Sequence, residues 1–447
     1  MPMNRCFPRP GWRSIRLTAR HFCAVVLVAA SATAVSAQEY KTDTVDAEAA
    51  RLGGLVRQCI RDPARYSADR AKFADFFTKA YFPLMTRTGP EELARLGDMR
   101  YKLFKDYLWG TNNEQLQSDL TALTFSAMGG IVTAQNPPYH PAVRYNAVLV
   151  MGMLDEQYPR EGATARPSKP FPRATRALTV IVDSATTGNR FSPPVILGAV
   201  IGLERHAQFR NALTPDAVQA MTAALLKLVS HAQPIQEMDR ETYAWLRVRA
   251  ASALALLGSP GSNNSVHDAI LKLVADLKSL DDRCAAAAML NKLDYKEVKL
   301  EPATTTEPLF GLARDLGAAE AERAQKFQEE RLAGGGFAPS VRGEGGYYGG
   351  GVGAYGEQQE QFPRRHVLAR LMDLRSGLQA VRPAVPADAQ TKIDAVLAAI
   401  KPVITSAADK DTGELKFTGD LRDMVEAINR AVPPPQAAAA ETEEETF

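Results

Sequence analysis

The residues whose types and spacing could do chemistry are few. Asp409, Asp411 and Asp420 occupy positions one, three and twelve of a frame that begins at Asp409, between two helical patterns. Oxygen donors so spaced are how a calcium loop builds its shell. That loop needs glycine at its sixth position, where Glu414 stands, and a bidentate glutamate at its twelfth, where Asp420 is too short. The match is incomplete, so no metal is expected, and Gly413 is assigned to a tight turn. Gly351, Gly353 and Gly356 spell G-x-G-x-x-G inside a Gly/Tyr-rich run. A dinucleotide site needs a strand before those glycines and a helix N-terminus after them, and the run offers neither, so no cofactor is expected. Tyr347, Tyr348 and Tyr355 could present rings to a glycan or protein surface, but tyrosine also punctuates linkers, and the linker reading is preferred.

Beyond residue 37 the histidines are His140, His206, His231, His267 and His366, with no HExxH or other ligand spacing. They read as structural or surface residues. No Walker loop, G-x-S-x-G or S-x-x-K occurs, which removes the sequence support for phosphate-cradling and serine-nucleophile enzymes. Carboxylates acting as general acid and base need no local motif, so that chemistry stays open, without assignable catalytic residues. Asn263-Asn264-Ser265 has the pattern of a glycosylation site, relevant only in a glycosylating host.

The chain has 447 residues, 45% of them hydrophobic and 23% charged, the range of foldable globular proteins. Its formal net charge is +2, but Arg5, Arg9, Arg13, Arg16 and Arg20 all precede an apolar run from Phe22 to Val35 that ends in Val35-Ser36-Ala37. Basic residues, a short apolar stretch and small residues at −1 and −3 describe a secretory signal peptide cleaved after Ala37. The run has 14 residues, where a spanning helix wants about 20, so no membrane span is expected once the leader is removed. Without those five arginines, 48 Lys and Arg face 51 Asp and Glu, and no basic field invites nucleic acid. Cys59 and Cys284 are the cysteines left after cleavage. One bridge between them is possible in an oxidising compartment, although two separate thiols are favoured because Cys284 lies in an apolar helical pattern.

The elements that must carry any site are helices. Apolar residues recur at helical spacing nearly everywhere past residue 43, and few stretches alternate as strands do. Residues 38–113 read as an N-terminal helical cap with helices near 68–80 and 91–107. From 114 to 293 helix pairs repeat. The first helices fall near 114–134, 173–187, 215–232 and 264–279, and the second near 141–155, 193–207, 241–258 and 281–293. The second helices share a small-and-apolar theme, and such faces must be buried between a partner helix and the next pair. Expected core positions are Val143, Ala147, Leu197, Leu225, Leu246, Leu254, Leu257, Leu271 and Leu290.

VRAASALALLG at 248–258 and VRYNAVLVMGML at 143–154 resemble the second helix of HEAT-type repeats; DRCAAAAMLNKL at 282–293 matches partly, and the 195 segment has Ile196 where the arginine belongs. The alignment points Val143, Val195, Val248 and Asp282 are 52, 53 and 34 residues apart, an irregular spacing for a family with about 40–47. The resemblance implies an all-α, irregular HEAT-like α-solenoid with flanking helical segments, and it casts Arg144, Arg249 and Arg283 as structural arginines that pair with acids on adjacent repeats. Residues 294–333 read as a linker and a charged helix that projects from or fringes the solenoid. Residues 334–361 read as a disordered Gly-rich loop, 362–431 as a C-terminal helical module, and 432–447 as a disordered acidic tail. The functional expectation is an exported, non-catalytic binding or scaffolding protein whose partner is another exported or envelope protein. The alternative is a hydrolase or lyase of envelope polysaccharide, with carboxylates drawn from separate helices.

Overall fold

Prolines and capping side chains set where the helices of this chain begin. The computed structural model describes residues 39–160, 166–188, 190–334 and 363–434, and the unit treated below starts at Lys41. The expected leader, all but the first residue of the 334–361 run and the tail beyond 434 lie outside the described residues. The described chain is almost wholly helical, as the apolar periodicity predicts. Its one two-stranded pair, β1 (Asp155–Gln157) with β2 (Lys169–Pro170), is antiparallel.

The N-terminal region comprises α1 (Ala47–Arg51), α2 (Gly53–Arg61) and α3 (Pro63–Asp75), which runs on through a π-helical turn, Phe76–Tyr81, into α4 (Phe82–Leu84). Asp46 and Asp62 cap α1 and α3 by accepting from backbone N–H groups of the first turn. Then come α5 (Pro90–Ala94), α6 (Leu96–Lys102) and a second π-helical turn, Leu103–Leu108. The π turn stacks residues five apart, so Phe76 meets Tyr81 at 6.1 Å and Phe77 meets Phe82 at 5.7 Å between ring centroids. Tyr107 from the second π turn closes the cluster edge-on against Phe77, at 5.1 Å. The periodicity places helices in both stretches; the π turns that lengthen them are set by this ring packing.

Next come the helix pairs: α7 (Glu114–Thr133) with α8 (Pro141–Met153), α9 (Pro172–Asp183) with α10 (Pro193–Ala207), α11 (Pro215–Ser230) with α12 (Arg240–Leu257), and α13 (Ser265–Asp276) with α14 (Leu280–Met289). Helices α8, α9, α10 and α11 all start on proline, which needs no hydrogen-bond acceptor there. Packing is sequential: α9, α11 and α13 form one layer and α8, α10, α12 and α14 the other, consistent with a solenoid-like architecture. The approach of α8 to α10 depends on glycine, because a Cβ on Gly152 would lie 2.6 Å from the Gly202 Cα. Gly258, at φ +82°, ends α12 in the left-handed conformation.

The stack does not stop at residue 293. Helix α15 (Pro302–Gly334) packs on α13, and α16 (Arg364–Val381) packs on α14, so together they add a fifth pair; α17 (Ala387–Ala408) and α18 (Glu414–Ala431) then cover α16 and α15. The charged helix expected to project from or fringe the solenoid is thereby packed against it. Its Leu309, Phe310, Leu312 and Leu316 are buried, and so is Glu320, because Arg370 of α16 supplies the counter-charge that water would otherwise provide. Of the expected core positions, Leu197 alone is only partly buried, packed against the core from α10; the others are buried. Cys59 and Cys284 are buried free thiols.

Candidate functional site

Helix α12 carries Trp245, Arg249, Ser252 and Leu256 at steps of four, three and four residues, which sets them on one face. Trp245 is 42% exposed, the Arg249 guanidinium lies 5.8 Å from its ring centroid, and that guanidinium also pairs with Glu204 of α10. Ser252 Oγ donates to Glu204 Oε1 at 2.7 Å. Burial pushes the Glu204 carboxyl upward, and Arg249 opposes that push. On the same side, Arg100 donates to Asn146 of α8 at 2.6 Å, and the half-buried Tyr145 feels both Arg100 and Arg249. The stripe continues past Leu256 into a groove of about 300 Å³, shared by α12, α14 and α16 and lined by Ala285, Met289 and Asp373 among others. Asp373 is pushed up to about 6, first by burial and then by the charge of Asp281. Asp281 is instead held down by Arg370, whose Nε donates to it at 2.7 Å. The face thus offers an exposed ring, apolar side chains and fixed charges of both signs.

The three arginines singled out by the repeat pattern have three different fates. Arg144 gives Nε and Nη2 to the Val132 carbonyl at the end of α7, at 3.3 and 2.9 Å. Arg283 gives Nε to the Val274 carbonyl near the end of α13 at 2.6 Å and Nη1 to Asp315 of α15 at 2.8 Å. Arg249 docks on no such carbonyl among the described residues. Its place is taken by Arg247, whose Nε donates to the Val229 carbonyl of α11 at 2.9 Å. Aligning on Val248-Arg249 passes over Arg247, and α12 begins eight residues before that point where α8 and α14 begin two before theirs. The arginine two positions earlier in RVRA was the available signal.

Asp409 and Asp420 are not brought together. The Asp409 carboxylate accepts from the Asp411 N–H at 3.0 Å and the Thr412 hydroxyl at 2.8 Å, while Asp420 accepts from Lys416 at 2.9 Å. Asp411 is exposed. Gly413 begins α18 at φ −61°, which any residue can adopt, so the tight turn assigned to it makes no special use of glycine. No group of three metal-ligating side chains occurs among the described residues. His206 and His267 are fully buried: the first shares Nδ1 with Thr175 at 3.0 Å, the second bonds Tyr295 at 2.9 Å and Thr305 at 3.3 Å. His231 reaches the Gln233 carbonyl, His140 caps α8, and His366 is exposed. The G-x-G-x-x-G glycines and their neighbouring tyrosines lie outside the described residues.

No protein-family model matches the chain, and a search of curated proteins finds no significant match. Among the described residues, no helix is long and apolar enough to cross a membrane.

Proposed function

We propose that this is an exported binding or scaffolding protein with HEAT-like repeats, which holds an extended segment of another exported or envelope protein along the outer face of its second helices. The observation that supports this reading is the Trp245–Arg249–Ser252–Leu256 stripe and its continuation into the groove on α14 and α16. An aromatic anchor beside a fixed arginine, followed by apolar ground, suits the interface centre at which binding energy concentrates. Export rests on the leader-like residues 1–37 and is checked by N-terminal sequencing of secreted material, where Gln38 is the expected first residue.

The test is affinity capture from the native envelope with the mature chain, run beside Trp245→Ala and a form lacking 334–361. A reproducible partner that survives loop deletion and is lost with Trp245→Ala supports the reading. Equal recovery by Trp245→Ala rejects this face.

A second reading draws on Asp373. One carboxyl raised to about 6 near another held ionised is the pairing that acid–base hydrolysis of a polysaccharide uses. It ranks second because Asp281 is already engaged by Arg370 and does not line the groove. Turnover of purified envelope polysaccharide that disappears in Asp373→Asn would establish it in place of the scaffold.

A further inference from the structure

The arginines at the repeat junctions differ in one respect. Arg144 spends both donating edges on a carbonyl, and Arg283 divides its edges between a carbonyl and the Asp315 carboxylate. Arg247 uses Nε alone: it is 6% exposed, and its buried Nη2 has no hydrogen-bond partner. A buried guanidinium N–H without an acceptor is an arrangement native proteins rarely keep.

Arg247 lines a cavity of about 930 Å³ where the loop between α11 and α12 meets the loop between α13 and α14. That volume is within the usual size of small-molecule sites. Arg240 and Lys278 add two cations to its lining, while Glu241, Asp276 and Asp282 add three acids. Asp276, the acid whose charge reaches Arg247, is engaged by Lys272 at 2.8 Å. Burial and then the neighbouring Asp281 charge push the Asp282 carboxyl upward, against the Ser279 hydroxyl beside it.

We propose that this cavity binds a small zwitterion, a free amino acid or short peptide, with its carboxylate on the Arg247 guanidinium and its ammonium toward Asp282. The neighbouring junction supplies the chemical precedent, since there a carboxylate completes the equivalent arginine. A simple anion would meet three carboxylates in the lining, whereas a zwitterion answers both signs. Tyr243 and Arg247 lie on the side of α12 opposite the Trp245 stripe, so the arginine at the centre of the proposal stands apart from the scaffold reading.

The test uses the full mature chain in calorimetric titration and thermal melting with the free amino acids and glycylglycine as probes, and with acetate and ethylammonium as half-ligands. At least one zwitterionic probe is expected to bind and to raise the melting temperature as its concentration rises. Arg247→Met should weaken that probe more than tenfold. Because Arg247 also holds the α11 carbonyl, Lys278→Ala and Asp282→Asn at the cavity wall serve as the second measurement. Asp282→Asn should weaken the zwitterion severalfold without weakening acetate, which loses a repelling carboxylate, and Lys278→Ala should weaken both. Absence of binding by every probe overturns the proposal, as does unchanged affinity in Arg247→Met or in both wall variants. Loss of zwitterion and acetate alike in Asp282→Asn would also reject the assigned ammonium contact.

Discussion

Between Tyr66 and Tyr107 the chain fills its interior with rings in edge-on and tilted contact, whereas from Pro141 to Leu290 valines, leucines and isoleucines fill it, interleaved with alanines and glycines that let helix axes approach. The ring cluster has its volume in side chains and tolerates displaced backbone, as the two π turns show. The helix stack packs aliphatic side chains around a few close backbone approaches, and at those points its geometry is fixed by where a Cβ cannot go. The first is damaged by removing atoms, and the second also by adding them where backbones touch.

The largest effect is expected from Phe77→Ala. This fully buried ring contacts Phe73, Phe76, Tyr81, Phe82 and Tyr107, and its loss should cost about 3–5 kcal/mol in chemical denaturation. A loss under about 1 kcal/mol would show that the cluster collapses freely and that the contrast with the stack is false.

Acid should separate the two regions next. The ring cluster holds tyrosines such as the buried Tyr81 and the partly buried Tyr107, which burial pushes upward and which stay neutral throughout the acid range, and its buried carboxylate Asp69 is held below the usual range by Lys72, so it stays ionised at pH 4.5. The stack instead buries His206 and His267, pushed down by burial to about 3 and about 4. A histidine with a folded-state pKa below its unfolded value near 6.5 binds fewer protons folded than unfolded. Stability is therefore intact above about pH 6.5 and falls as pH drops toward 4, on the order of 3 kcal/mol for His267. Amide hydrogen exchange at pH 7 and pH 4.5, corrected for intrinsic rates, should show protection lost around α13 before the ring cluster. Equal loss in both regions would contradict the assignment.

Gly152→Ala tests the stack by addition. The new Cβ would lie 2.6 Å from the Gly202 backbone, so α8 and α10 must separate, at about 1–3 kcal/mol. An unchanged denaturation midpoint would mean that the helix contact is looser than its geometry. The smallest effect is expected at Trp245→Ala: the side chain is 42% exposed, and stability should move by no more than about 0.5 kcal/mol while partner capture is lost. Thermal melting of the variant beside wild type separates a binding role from a packing role.

Much of the fold is legible in the sequence because its signals are local. Apolar spacing marks the helices, prolines at 141, 172, 193 and 215 mark their starts, and the alanines of VRAASALALLG mark the buried side of α12. Val143, Ala147, Leu254 and Leu290 follow from the same periodicity and are buried. The site is far less legible. Leu197 has the spacing of a core residue yet is only partly buried, and Arg249 has the motif position while Arg247 has the carbonyl contact. The helix containing AEAER reads as a solvated surface because its counter-charge, Arg370, comes from 50 residues further along the chain.

What the sequence by itself determined is the kind of element and its orientation: helix, start, stop and buried side, each decided by interactions within a few residues along the chain. What only the tertiary structure decided is which groups meet across elements. The phase of α12 against α11 selects Arg247 over Arg249 for the junction carbonyl. The stacking of α16 on α14 raises Asp373 beside Asp281, and the meeting of two interhelical loops opens the cavity that Arg247 lines. Those outcomes depend on rotations and offsets between packed helices. Periodicity identifies which face is buried but does not encode how far one helix slides or turns against the next.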